Sequence, residues 1–442
     1  MRRIIETIKN IWKIEELRNK LLITFLFVAI YRLGTYIVLP GIDPESLSAL
    51  RAQTKGGLLA LLDMFSGGAF SNASIFALGI MPYISASIIM QLMAIAVPSF
   101  QKLQREGESG RKKINQWTRY LTVIILMLQG PSYLINLSVQ LKSAGAAMPA
   151  GFLFTIQSTI ILAAGSMFVL WLGERITDKG IGNGISFIIL VGIIARLPHS
   201  LVQEFISRTS EKTGGLVMFL FELVFLLFVI GGAILLVQGT RRVPVQYAKR
   251  IVGNKQYGGA RQYIPLKVNA ANVMPIIFAQ AIMFIPISIV GFSATEVSPF
   301  MAAFMDNTGF WYNFVFALLI ILFTYFYTAI TINPGNMADD LKRNNGFIPG
   351  IKPGRATKEY LDAIMDRITL PGAFFLAFVA ILPSFARFAG ISQEFSQFFG
   401  GTSLLILVGV VLDTLQQVES HLLMRHYDGL LKSGRIKGRS AA

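Results

Sequence analysis

The sequence predicts an all-α membrane protein that crosses the bilayer ten times, in two halves of five helices. Three observations predict it. The first is composition: 53% of the 442 residues are hydrophobic, 14% are charged, and the mean hydropathy is +0.58. Soluble domains carry about 25% charged residues. The second is a series of mostly apolar segments near the ~20 residues that a helix needs to span hydrocarbon. The third is an uneven distribution of Lys and Arg between alternate connections.

Taken in order, the ten apolar segments are 21–39, 75–97, 117–139, 152–172, 185–197, 216–237, 272–290, 311–332, 368–385 and 402–422. The fifth is short for a crossing and follows Gly180-Ile181-Gly182-Asn183-Gly184. Part of its passage is expected to be non-ideal helix, which a membrane tolerates only where protein or water covers it. The chain divides evenly near 199–215, into a 21–200 half and a 201–424 half. Two halves of five spans resemble inverted-repeat architectures, in which sites lie at the repeat interface. Residues 1–20 are basic and amphipathic, with Ile4, Ile5, Ile8, Ile11 and Trp12 but no apolar h-region. They read as a helix on the cytoplasmic face, not as a cleavable signal.

The formal net charge of +16 would point to nucleic acid in a soluble protein. Here its distribution decides. With both termini on one side, that side holds 32 of the 40 Lys and Arg; the opposite side holds seven, and Arg32 lies within the first span. The bias places both termini in the cytoplasm and accounts for most of the charge without nucleic acid. The basic residues concentrate in 101–118 and in two long connections, 238–271 and 333–367. Their Pro, Gly and aromatic residues at turn positions predict ordered loops, longer than ordinary connections and therefore functional. Attraction to anionic lipid is a competing account of the same charge.

Several chemistries have no residues to carry them. The absence of Cys excludes disulfides and thiolate chemistry, and three histidines (His199, His421, His426) make a metal centre or proton relay improbable. There is no phosphate-cradling G-x-x-x-x-G-K-[ST] run, so no cofactor and no direct nucleotide binding are expected. Intramembrane charge is confined to Arg32, Glu222 and Asp413, on different spans and with no partner evident in sequence. An ion-coupled transporter is expected to carry paired ionisable groups near the midplane, and a membrane-embedded enzyme a polar cluster. The chain reads as a passive conduit driven from outside, with the transporter as the alternative.

Between the first two spans, Gly56-Gly57 and Gly67-Gly68 bound a stretch too short to span and too apolar for an ordinary loop. A short apolar helix between glycine hinges is suited to move inside a water-filled cavity; a static re-entrant segment is the alternative reading.

At this stretch the chain begins to resemble the SecY family. Asp63-Met64-Phe65-Ser66-Gly67-Gly68-Ala69 and Ala73-Ser74-Ile75-Phe76-Ala77-Leu78-Gly79-Ile80-Met81-Pro82-Tyr83-Ile84-Ser85-Ala86-Ser87-Ile88 carry the likeness first. Gln104-Arg105-Glu106-Gly107-Glu108-Ser109-Gly110-Arg111, Gly180–Ser186, Tyr247-Ala248-Lys249-Arg250 and Leu266-Lys267-Val268-Asn269 follow in order, then Pro349–Gly354 and Gly400–Ile406. The likeness covers essentially the whole chain.

The resemblance implies a channel for unfolded preproteins across the inner membrane, with transmembrane segments released sideways. Its two halves would enclose a central pore closed by a short plug helix, about 58–74, with Leu58, Leu61, Asp63, Met64, Phe65, Gly67 and Gly68. By motif position the constriction would be an aliphatic ring of Ile80, Ile84, Ile185, Ile189, Ile277 and Ile406. β-Branched side chains are stiff at χ1, and an apolar constriction blocks ions by dewetting. The lateral gate would contain Ser85, Ser87, Gln91, Asn272, Gln280, Thr324 and Thr328. Arg241, Arg242, Lys249, Arg250, Lys352, Arg355 and Tyr427 would form the docking surface for the SecA ATPase or the ribosome. The chain departs from the family at Lys352, where Arg is usual, which keeps the charge but loses the planar fork. SecE, SecG, preproteins, signal sequences and anionic lipids complete the implied partners. The cytoplasmic tail would run over 425–442.

Overall fold

The computed structural model describes residues 12, 14–43, 63–143, 149, 151–210, 215–247, 250–252, 255–257, 261–280, 282–283 and 309–432. Leu58, Leu61 and Lys249 lie outside these residues, as do nearly all of the basic N-terminal segment and residues 433–442 of the tail.

Helix is present on all ten apolar segments. In chain order the helices are α1 Glu15–Gly34, α2 Met81–Ala96, α3 Pro98–Arg105, α4 Glu108–Ser143, α5 Phe152–Lys179, α6 Gly184–Ser210 and α7 Gly215–Gln238. The short helical stretches 274–280 and 282–283 mark the seventh segment. Then come α8 Phe310–Thr331, α9 Pro334–Arg343, α10 Arg355–Phe388, α11 Gln393–Ser396 and α12 Gly401–Lys432. Among the described residues, seven helices are individually long and apolar enough to cross a membrane; α2 and α3, sharply bent at the break between them, pass the same test as a pair. Their outward faces have no water-soluble explanation. On α7, Leu216, Val217, Leu220, Phe221, Val224, Leu227 and Phe228 are all exposed, a continuous apolar surface that lipid tails cover at no cost.

Most span boundaries differ from the sequence expectation; α10, for one, begins at Arg355 and not at Ile368. The first span begins earlier, at Glu15, where Glu15 and Glu16 complement the positive end of the helix dipole, and its helix ends at Gly34. Residues 37–39 are instead drawn into a backbone pairing: Leu39 N–H donates to Ala73 O at 2.9 Å and Ile75 N–H to Ile37 O at 3.0 Å. The second helix starts at Met81, not Ile75, because Pro82 favours the first turn and residues 75–80 are held in successive turns. The fifth span, α6, is not short. It runs 27 residues to Ser210, since the polar residues beyond Leu197 continue the helix past the apolar stretch.

The expected irregularity before that helix is a tight turn at 180–183. Gly182 adopts φ +83°, a conformation other L-residues seldom take, and its N–H donates to Gln417 Oε1 at 2.8 Å. Ile181 N–H donates to Thr24 Oγ1 at 3.2 Å and Gly184 N–H to Thr177 Oγ1 at 2.8 Å. The backbone groups freed between α5 and α6 are thereby satisfied by side chains, as an apolar setting demands.

Among the described residues, the two long basic connections contain strands. β1 Thr240–Tyr247 pairs antiparallel with β4 Arg261–Lys267, from Thr240↔Lys267 to Gln246↔Arg261. It also pairs with β5 Gly346–Phe347 from the other connection, giving the order β4-β1-β5. β2 Arg250–Val252 and β3 Lys255–Tyr257 form a separate hairpin. Inward-facing Val243 and Val245 of β1 join Leu266, Leu341, Ile348, Leu361 and Met365 in a small core of their own. Asn333 caps α9 by accepting the Asn336 N–H at 3.2 Å, with Pro334 in the first turn.

The chain forms two compact units, one of Met1–Val202 with Val410–Ala442 and one of Gln203–Gly409.

Candidate functional site

The most elaborated part of the first unit is the stretch 63–79. It is almost entirely turns: only 63–65 is helical, and the rest winds back on itself before α2 begins. Asp63, Met64, Ser66, Ala69, Phe70, Ser71, Asn72, Ala73, Ser74, Phe76 and Ala77 are buried. So many polar groups in an apolar setting must be paired, and the pairing is visible residue by residue.

Within the turn, Gly68 N–H donates to Asp63 O at 2.8 Å, Ser66 Oγ donates to Asp63 O at 3.1 Å, and Phe70 N–H donates to Ser66 Oγ at 3.1 Å. Ser71 N–H donates to Asp63 Oδ1 at 2.7 Å, which closes the loop on itself. Surrounding helices take the remaining carbonyls. Tyr31 OH and Arg32 Nη1 of α1 donate to Ser66 O at 3.0 Å and Gly67 O at 2.8 Å, and Tyr133 OH of α4 donates to Phe70 O at 3.0 Å. From α6, the Arg196 guanidinium forms an ion pair with Asp63 and donates to Ser71 Oγ at 3.2 Å.

Backbone proximity explains the glycines. Gly67 has φ +63°, and a Cβ there would lie 2.8 Å from the Gly192 Cα and 2.9 Å from Arg32 Nη1. A Cβ on Gly192 would meet Phe65 O at 2.9 Å, so turn and helix touch main chain to main chain. Below, Phe70 and Tyr133 meet edge to face with ring centroids 4.8 Å apart, within a core that includes Leu39, Leu134, Leu137, Leu141 and Leu162.

The isoleucines assigned to the constriction fall in two pairs within this unit. Ile80 and Ile84 are one turn apart at the start of α2, and Ile185 and Ile189 one turn apart at the start of α6. Ile80 and Ile189 are buried; Ile84 and Ile185 are half-buried. In the second unit Ile277 is half-buried and Ile406 buried.

The residues assigned to the lateral gate bond mostly within their own elements. Ser85 Oγ donates to Met81 O at 3.2 Å, Gln91 to Ser87 Oγ at 3.3 Å, and Thr324 Oγ1 to Ile320 O at 2.7 Å. Gln280 and Thr328 are buried, and Asn272 is exposed at φ +51°, with its carbonyl accepting from Asn269 at 3.1 Å.

Of the basic residues, Arg241 and Arg242 are exposed on β1 and Lys352 is exposed in the turn before α10. Arg355 is exposed and pairs with Glu359 one turn on, at 3.0 Å. Arg250 lies on β2 and Tyr427 on α12.

Sequence reading missed two charged arrangements. Arg196 and Arg208 counted only toward the charge bias, although both are structural. Glu222, expected to lack a partner, accepts from Arg208 Nη2 at 2.5 Å, while Arg208 Nε donates to Glu204 Oε1 at 3.0 Å. Arg208 also donates to Gly390 O at 2.7 Å, and Ser392 N–H donates to Glu204 Oε2 at 3.0 Å. The i,i+4 spacing of Glu204 and Arg208 was the available signal. Arg32, the second intramembrane charge, is taken by Gly67 O.

Apolar helices with exposed apolar faces, and a buried, hydrogen-bonded turn packed among them, define a polytopic membrane protein. The SecY family model matches residues 74–415, and the chain belongs to the SecY family. It is 41% identical to the protein translocase subunit SecY of Thermotoga maritima over 441 residues, covering 98% of this chain and 99% of that one. The Thermus thermophilus subunit is 43% identical over 441 residues, covering 98% and 100%. Among solved structures, one concerning the plug domain of the SecY protein superposes with TM-score 0.60 at 16% identity, covering 95% of both chains. Sec61 from a canine ribosome–channel complex gives TM-score 0.54 at 15% identity, over 95% of both chains.

Proposed function

We infer that the chain is the channel-forming subunit of a protein translocase, passing unfolded polypeptides through the membrane and releasing apolar segments sideways into lipid. The carrying observation is the near full-length match to translocase SecY subunits. The buried 63–79 turn supports it: a short element seated by hydrogen bonds and one ion pair is separable from its surroundings in a way a spanning helix is not.

On this reading the plug is the stretch 58–74, whose described part, 63–74, lies within the buried turn. Ile80, Ile84, Ile185, Ile189, Ile277 and Ile406 form the constriction, apolar and stiff, offering a sliding chain nothing to bond. Ser85, Ser87, Gln91, Asn272, Gln280, Thr324 and Thr328 belong to the seam through which apolar segments leave. Interhelical polar contacts in membranes average about 0.6 kcal/mol, weak enough to yield to a signal sequence. Exposed Arg241, Arg242, Lys352 and Arg355, with Lys249, Arg250 and Tyr427, make the docking face for a cytoplasmic SecA motor or ribosome. SecE and SecG are the accompanying subunits, the inner membrane the location, and both termini cytoplasmic. No catalytic step is assigned to the chain, and the energy comes from the docked partner.

The test is reconstitution. Proteoliposomes holding this chain with SecE and SecG should import a preprotein when given SecA and ATP. Saturable uptake of a small solute with no preprotein import would replace the channel reading with a transporter.

A further inference from the structure

We propose that Arg196 is the positioning residue of the 63–79 turn: its guanidinium latches the turn in the seated state through Asp63, and unseating requires that ion pair to part. The proposal rests on the channel reading and names the contact that governs resting closure.

Asp63 is the only charged residue between positions 63 and 79. Its carboxylate uses both oxygens, Oδ1 on the Ser71 N–H and Oδ2 on Arg196. The Asp63 side chain is 3% exposed, while that of Arg196 is 30% exposed. Arg196 touches the turn again at Ser71 Oγ, 3.2 Å away, and its Nη2 lies 3.4 Å from where a Cβ on Gly68 would sit. One side chain thus spans residues 63, 68 and 71. The bonds from Tyr31, Arg32 and Tyr133 all end on backbone carbonyls. Water replaces such acceptor contacts readily once a turn moves. A buried carboxylate without its cation must either take up a proton or leave the interior.

This asymmetry of burial predicts an asymmetric result. In Arg196→Gln, a nearly water-free Asp63 anion remains, and at neutral pH either opening the turn to hydrate it or protonating it in place costs the seated state free energy. In Asp63→Asn, the amide oxygen still accepts from Ser71, and a part-exposed Arg196 stays hydrated. Adding Asp63→Asn to Arg196→Gln removes the stranded anion, so the double variant is tighter than Arg196→Gln alone. Loss of packing would instead leave the double variant at least as open as the worse single.

The experiment measures resting ion current through the reconstituted complex in planar bilayers without substrate, alongside preprotein import and membrane abundance. Arg196→Gln is expected to raise resting current roughly fivefold or more. Asp63→Asn should raise it less, and the double variant should fall back toward Asp63→Asn. Arg196→Lys, which keeps the charge and loses the fork, should be intermediate. Unchanged resting current in Arg196→Gln, with normal import, overturns the latch and leaves the channel reading standing. A double variant leakier than either single also overturns it. If Arg196→Gln does not accumulate in membranes, the comparison of Arg196→Lys with Asp63→Asn decides: equal resting currents at the wild-type level overturn the latch. Wild-type complex that imports nothing is a failure of the channel reading instead.

Discussion

Helix α6 carries two buried-side arginines twelve residues apart, and they are built differently. Arg196 meets the Asp63 carboxylate of the 63–79 turn and is 30% exposed. Arg208 meets two, Glu204 and Glu222, and all three side chains are at most 7% exposed. The first joins a helix to a turn whose other anchors are single hydrogen bonds to carbonyls. The second fastens α6, α7 and the 390–392 connection together, through Glu222, Gly390 O and the Ser392 N–H. A charge pair whose buried member sits on a movable turn can part as that turn carries it to water; a dry cluster with backbone partners has no such exit. The difference teaches where this fold is meant to yield and where it is meant to hold.

The sharpest way to break the comparison is Arg208→Ala. It strands two buried carboxylates and should cost about 3–5 kcal/mol. Thermal unfolding in detergent should show Tm falling by roughly 5 °C or more, with reduced membrane abundance. A variant as stable as wild type would mean the cluster is not a fastening.

Next is Gly67→Ala, where positive φ and a Cβ 2.8 Å from the Gly192 Cα oppose the seated turn together. A cost of about 1–3 kcal/mol is expected locally. It should appear as raised resting current with Tm nearly unchanged, because the turn leaves while the helices stay. A lowered Tm without added current would make the turn a piece of core.

Smaller still is Glu222→Gln. Its Oε2 has no hydrogen-bond partner among the described residues, and Glu204 still neutralises Arg208 after the change. A loss of about 1 kcal/mol or less is expected, read as a Tm shift well below that of Arg208→Ala. Equal shifts would show that both carboxylates are needed.

The smallest effect on stability belongs to Arg355→Gln. Its ion pair with Glu359 is 92% and 64% exposed, and exposed pairs contribute little. No Tm change is expected, while motor- or ribosome-driven import should weaken; a clear Tm drop would argue that the side chain is structural.

The elements legible in sequence are those set by length and apolarity. Ten hydrophobic stretches announced ten helical segments, because lipid leaves the backbone few alternatives. The breaks were harder. Ile75 to Ile80 is as apolar as the helix that follows, and its turns are held by the Ile75 bond to Ile37 O and by bonds of Phe76, Ala77 and Gly79 within the stretch from Ser74 onward. The polar residues after Pro198 looked like the end of a span, yet Glu204 and Arg208 are buried by partners more distant in sequence. β1 did carry a signal, Val243 and Val245 alternating with outward residues, but the basic residues around it drew attention to charge over period. Glycine spacing marked the site's location. Its wiring was not legible, since a lone Asp among apolar residues does not reveal which of forty cations it meets.

The β4-β1-β5 sheet has a mechanical consequence. β5 comes from a connection some hundred residues after β1, yet hydrogen-bonds to the same strand. Strand pairing therefore ties the described parts of the two connections into one sheet over a single core, to which α10 contributes Leu361 and Met365. Displacing β1, which follows α7 directly in the chain, would disturb β5 and that face of α10 as well.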